Sequence, residues 1–156
     1  MGTLAEPAFP DDRGDVDPDV ATALDSYSSD HKLEPVLGAL AAARILVPVI
    51  ALLGTSPADG DKDADMAAVL MTGADGRTAL LAFSSLATML TWDPTSRPVP
   101  LLATHAARAA LDEGASALVL DIAGPTVVVI ETDDLGHLAE GHTLARTSAG
   151  YAWVTA

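Results

Sequence analysis

The alternation of apolar and polar positions divides this chain into short helices and short strands. Asp17-Pro18-Asp19 has the form of a helix start, with a capping carboxylate, proline at the first helical position and a second acid where the helix dipole favours it. Val20, Ala23, Leu24 and Tyr27 then follow the i, i+3, i+4, i+7 spacing of one helical face. A second helix is expected from about Pro35 to Ala43, with Val36, Leu37 and Leu40 inward. Ile45 to Leu53 is a continuous apolar run and reads as a buried strand, with Pro48 placing it at an edge or a bulge. Met66–Thr72 and Thr78–Phe83 flank Ala74-Asp75-Gly76, and an Asp-Gly between two apolar runs predicts a hairpin.

The second half continues in the same style. Ser84 or Ser85 is expected to cap a short helix with Leu86, Met89 and Leu90 inward, and Pro98 to Leu102 to be extended. Thr104 is the expected cap of the next helix, whose inward face is mostly Ala, and Gly114 stands where a C-terminal cap belongs. Ala117–Ile122 and Thr126–Glu131 read as buried strands joined at Gly124-Pro125. Thr132 is the expected cap of a last helix with Asp133 and Asp134 in its first turn. The order predicts an α+β fold: a single domain with a mixed, largely antiparallel sheet packed by several short helices. Residues 1–16 are expected to form a flexible acidic arm, 17–141 the domain, and 142–156 a tail in which Tyr151–Thr155 could add an edge strand.

Charge sharpens this division. Of the net −14, residues 1–30 carry eight acids against one base, and residues 54–65 four acids against one base. Concentrated negative charge repels phosphate, so neither nucleic acid nor an anionic membrane is an expected partner. The chain has 156 residues and no cysteine, which removes disulfides, thiol catalysis and thiolate metal sites and fits a cytoplasmic home. The longest apolar run is far shorter than a membrane span, and the acidic start lacks the form of a signal peptide.

Whole segments carry a family resemblance. RILVPVIALLG (44–54), DMAAVLMTGADGRTALLAFSSLATMLTWDPTSRPVP (65–100) and AARAALDEGASALVLDIAGP (106–125), with EPAFPDD (6–12) ahead of them, resemble the SseB-like family, named for an enhanced-serine-sensitivity phenotype. The chain is most similar to its Ala-rich actinobacterial members. The resemblance implies a small cytoplasmic domain with no established enzymatic activity, and it supplies no catalytic residue to carry over.

Candidate chemistry is sparse. Asp59, Asp61, Asp63 and Asp65 alternate as in a calcium loop, but Ala64 and Leu70 stand where an EF-hand needs Gly and Glu. Ser84 and Ser85 occupy a strand-to-helix junction without the glycines of a nucleophile elbow. Asp121 ends an apolar strand and reads as an acceptor for turn N–H groups, with a proton-transfer role as the functional alternative. His31, His105, His137 and His142 include no i, i+4 pair, so no metal site, no cofactor and no catalytic residue is expected. Trp92 and Arg97 bracket a proline-rich connection, Thr91–Leu102. They are the expected partner-binding residues, since Trp and Arg most often dominate interfaces; the plainer reading of Trp92 is that it closes the core. The leading functional expectation is a non-catalytic binding or regulatory domain whose partner is another protein, with a homodimer possible. The alternatives are an acidic secretion-chaperone-like dimer and, third, a small hydrolase or transferase using Asp121 or a histidine.

Overall fold

A computed structural model describes residue 9 and residues 11–52 and 65–155. The Asp59, Asp61 and Asp63 positions of the acidic loop lie outside the described residues. Among the described residues five helices and nine strands follow one another: α1 (Pro18–Asp30), α2 (Glu34–Leu40), β1 (Arg44–Leu52), β2 (Asp65–Ala68), β3 (Leu70–Thr72), β4 (Thr78–Ala82), α3 (Leu86–Trp92), β5 (Arg97–Leu102), α4 (Ala103–Asp112), β6 (Ala117–Leu120), β7 (Val128–Glu131), α5 (Thr132–Ala139), β8 (Thr143–Thr147) and β9 (Gly150–Val154). The strands pair as β2-β1-β5, β3-β4-β6-β7 and β8-β9. Every pairing is antiparallel except β4–β6, whose crossover runs through α3, β5 and α4. The domain is therefore α+β with a mixed, mostly antiparallel sheet. No helix among the described residues is long and apolar enough to cross a membrane.

The first two sheets share one strand. Val69, between β2 and β3, donates its N–H to the Pro48 carbonyl (3.3 Å) and accepts from the Leu81 N–H (3.1 Å). Residues 65–68 thus pair with β1 and residues 70–72 with β4. Pro48 lies in the middle strand of its sheet, not at an edge, which corrects the sequence reading in part. It is tolerated because it sits where the neighbouring strand breaks at Val69, so the N–H it lacks opposes no regular partner.

Alternation along the strands builds two cores. Leu80, Ala82, Leu118, Leu120, Val128 and Ile130 face a large core closed by α1, α2, α4 and α5. Leu81 and Phe83 face the other way and join Leu46 and Met89, with Trp92 and Val119 at the margin. Helix α4 turns Ala103, Ala106, Ala107 and Ala110 inward, all buried.

Local signals decide most helix ends. Asp17 caps α1, accepting from the N–H groups of Asp19 (2.8 Å) and Val20 (3.3 Å). Gly114 takes the left-handed conformation expected after α4, at φ +79°. Two expected caps are corrected. Thr104 lies inside α4, which begins at Ala103 with no side-chain cap. Thr132 is the first residue of α5, and its hydroxyl donates to the Ser116 carbonyl (2.6 Å). Thr104 thus falls two residues past the cap position, Leu102, and the Thr132 hydroxyl turns to Ser116, just ahead of β6, instead. The tail forms its own hairpin, β8–β9, rather than adding to the edge of a larger sheet.

Candidate functional site

The connection from α3 to β5 holds the two residues expected to meet a partner, and the structure places them on different surfaces. Trp92 ends α3, half-buried, with its ring 5.5 Å from that of Phe83 and tilted by 33°. It closes the smaller core and keeps part of its surface outside. Asp93 then turns the chain: its Oδ1 accepts from the Thr95 N–H (2.9 Å) and hydroxyl (2.7 Å). These two donors, the N–H foremost, hold the Asp93 carboxyl below its ordinary range. Ser96, buried, donates its hydroxyl to the Asp93 carbonyl (2.8 Å). Arg97 opens β5, exposed, and among the described residues it forms no ion pair.

Strand β5 is an edge, and its edge is chemically one-sided. Among the described residues it pairs only with β1, in the register Leu46↔Pro100 and Pro48↔Pro98. Leu46 directs its own N–H and carbonyl away from β5, to Phe83 (2.8 and 2.7 Å). Leu46↔Pro100 is therefore a non-hydrogen-bonded pair, as is Pro48↔Pro98 two residues on, so the backbone of Pro98 and Pro100 points to the free side. Neither proline has an N–H. The free edge presents their carbonyls as acceptors and no donor at either position, which prevents an ordinary strand from pairing there. Side chains alternate across β5, so Pro98 and Pro100 share the face of Leu46 while Arg97 lies on the opposite face.

On the proline face a groove of about 260 Å³ lies between β5 and the residues before α1, lined among others by Phe9, Asp12, Leu46, Leu86, Pro98 and Pro100. Its outer wall is built from residues that the sequence reading placed in a flexible arm. Arg44, at the start of β1, meets Asp12 through Nη2–Oδ1 (2.9 Å) and Nε–Oδ2 (2.8 Å), and its Nη2 also donates to the Asp15 carbonyl. The Oδ2 contact is ionic rather than directional, since that oxygen accepts no hydrogen bond. The Gly14 carbonyl accepts from the Leu86 N–H (2.7 Å), one of the free donors at the start of α3. Gly14 has φ +81°, and a Cβ there would stand 2.5 Å from Leu86 Cβ, so only glycine fits this close approach. Sequence reasoning missed this clamp. Its one visible signal was Arg44, a lone base ahead of a buried strand.

The residues with catalytic potential are engaged in structure. Asp121 is 3% exposed and takes the left-handed conformation, φ +58°. Its Oδ1 accepts from the Ser84 N–H (2.8 Å) and the Thr88 hydroxyl (2.8 Å), and its Oδ2 from the Ser84 hydroxyl (2.6 Å). Ser85, not Ser84, caps α3, accepting from the Thr88 N–H (3.2 Å). The carboxylate thus joins the ends of β4 and β6 to the first turn of α3. His31 and His105 are exposed, whereas His137 and His142 meet, their Nδ1 atoms 2.8 Å apart. No group of three or more potential metal ligands converges among the described residues.

The SseB protein N-terminal domain model matches residues 20–137. The chain belongs to the SseB family. A search of curated proteins and a search of solved structures each found no match. The family match begins inside α1 and ends at His137, so it spans the first two sheets and the β5 edge and excludes the Asp12 side of the groove and the tail hairpin.

Proposed function

We propose that this SseB-family chain is a non-catalytic binding or regulatory domain that recognises another protein along β5. The observation that carries the reading is the donor-free edge at Pro98 and Pro100, exposed beside an apolar groove on one face and Arg97 on the other. A segment with N–H donors, an apolar side chain and a carboxylate complements all three. Trp92, pinned by Phe83, keeps part of its ring exposed at the end of α3. The rigid prolines keep the entropy cost of ordering this surface low. The engagement of Asp121 with Ser84 and Thr88 supports a binding role over hydrolysis or group transfer. The cysteine-free composition supports a cytoplasmic home, and the all-Ala inward face of α4 supports kinship with the Ala-rich actinobacterial type.

The test is affinity capture from the native cell, followed by mass spectrometry, with wild-type and Arg97→Ala baits. A protein retained by wild type and lost from a folded Arg97→Ala bait supports the reading, and equal retention by both removes Arg97 as anchor. The second reading, an acidic chaperone-like dimer, draws on the exposed apolar side chains Leu70, Met71, Val127 and Val129 near the outer strands β3 and β7. Sedimentation of Val129→Glu beside wild type discriminates: the dimer reading expects a twofold drop in mass.

A further inference from the structure

The tail hairpin is fastened to the family domain by an imidazole pair with room for one shared proton. His137 lies in the last turn of α5, and Gly141 (φ +75°) folds the chain back so that the His142 N–H donates to the His137 carbonyl (3.0 Å). That return brings the two Nδ1 atoms to 2.8 Å. The ring centres are 5.1 Å apart, which is the N···N distance extended by the centre-to-nitrogen radius at each end. Both nitrogen axes therefore lie along one line. Two ligands of a common metal would have axes meeting at an angle at the ion, so this geometry is a hydrogen bond and not a chelate. The far face of the clasp is Trp153 of β9, stacked on His137 at 5.1 Å and 10°, with its Nε1–H donating to Asp134 Oδ1 (3.1 Å).

We propose that His137 and His142 form a one-proton clasp that holds the β8–β9 hairpin on the domain and opens when both rings become charged. A linear N–H···N bond needs one nitrogen with its lone pair free. The neutral pair satisfies this, and the singly charged pair satisfies it better, because the donor is then an imidazolium. A second proton removes the acceptor and sets two N–H donors of like charge against each other. The surrounding charges do not compensate it. Asp134 is engaged by Trp153, and Glu140 faces Arg108 of α4 at 3.5 Å. Asp133 and, on β8, Arg146 are exposed. Among the described residues no carboxylate forms an ion pair with either ring. The released pair can hold two protons and the docked pair one. Docking therefore persists while one of the two facing nitrogens keeps its lone pair, and it weakens once acid charges both rings.

The test reads the hairpin directly. Amide exchange of residues 143–154 is followed by mass spectrometry between about pH 8 and pH 5, normalised to the exchange of the unfolded chain, with Trp153 emission read in a Trp92→Phe background. Wild type should lose protection there at the acidic end, with a red shift of Trp153, while the β4 and β6 amides stay protected. His142→Asn places an amide oxygen near the Nδ1 position, which accepts from His137 in either of its charge states. This variant should keep the hairpin protected across the whole range. Wild-type protection unchanged at the acidic end, or an acid transition in His142→Asn matching that of wild type, would overturn the clasp.

Discussion

Replacing Asp121 separates what its charge contributes from what its hydrogen-bonding pattern contributes. In Asp121→Ala the Ser84 N–H loses its only acceptor at a buried position. The Thr88 hydroxyl retains the Ser85 carbonyl at 3.0 Å, and the Ser84 hydroxyl can turn, so the N–H is the group without recourse. An unpaired buried donor costs about 1–3 kcal/mol. Alanine in the left-handed conformation at φ +58° adds about 1 kcal/mol. The expected loss is about 3 kcal/mol, roughly a third of the stability of a typical domain. Asp121→Asn behaves differently. Its Oδ1 can keep both the Ser84 N–H and the Thr88 hydroxyl, and its amide can donate to Ser84 Oγ in place of accepting from it. Asparagine also tolerates the left-handed region, so only the charge assistance is lost, about 1 kcal/mol. Asp121→Gly should lie between the two, having the unpaired N–H without the strain. Urea unfolding at constant m gives all three values from the midpoints. If Ala and Asn fall within about 0.5 kcal/mol of each other, the argument from the stranded Ser84 N–H is wrong.

Three further outcomes are expected. Deleting residues 1–15 should lower the thermal midpoint by several degrees, because it removes the half-buried Asp12–Arg44 ion pair and the Gly14 acceptor of the Leu86 N–H; a shift of under about 2 °C by calorimetry would make the clamp energetically silent. Trp92→Ala should cost up to the 3–5 kcal/mol typical of a large core aromatic, at the low end because the ring is half-exposed, and chemical denaturation would show a near-zero loss if Trp92 served only a partner. Elemental analysis of protein purified without chelator should find no stoichiometric zinc, manganese or iron; one equivalent of any would overturn this expectation, and would also count against the collinear hydrogen bond if it mapped to His137 and His142.

Elements with local signals were legible in the chain. Asp17-Pro18 marks the start of α1, Asp75-Gly76 the β3–β4 turn, and Gly114 the end of α4, because each acts on its own few residues. The apolar runs TALLAF and ALVLD read as buried strands, but only the folded sheet divides them between two cores, even positions on one side and odd on the other. The illegible features depend on residues far apart. Ser84 and Ser85 are equivalent caps until Asp121, 37 residues later, takes Ser84 for itself. Asp12 reads as one acid among many until Arg44 meets it. Trp92 and Arg97, five residues apart, read as one site, but the alternation of β5 puts Arg97 across the strand from the groove, which no spacing rule reveals before the edge strand is known. His137 and His142 escape the helical pairing rule because Gly141 ends the helix between them.

The missing donors on β5 set a rule of self-exclusion. A strand edge with both donors and acceptors can template a copy of itself, and crowding then favours filaments. Two copies of this edge brought together would meet carbonyl to carbonyl at Pro98 and Pro100 and repel. Whatever settles along β5 must therefore differ from β5 in chemistry. The surface can stay open at high concentration without recruiting its own kind, so discrimination between self and non-self is already written in two missing protons.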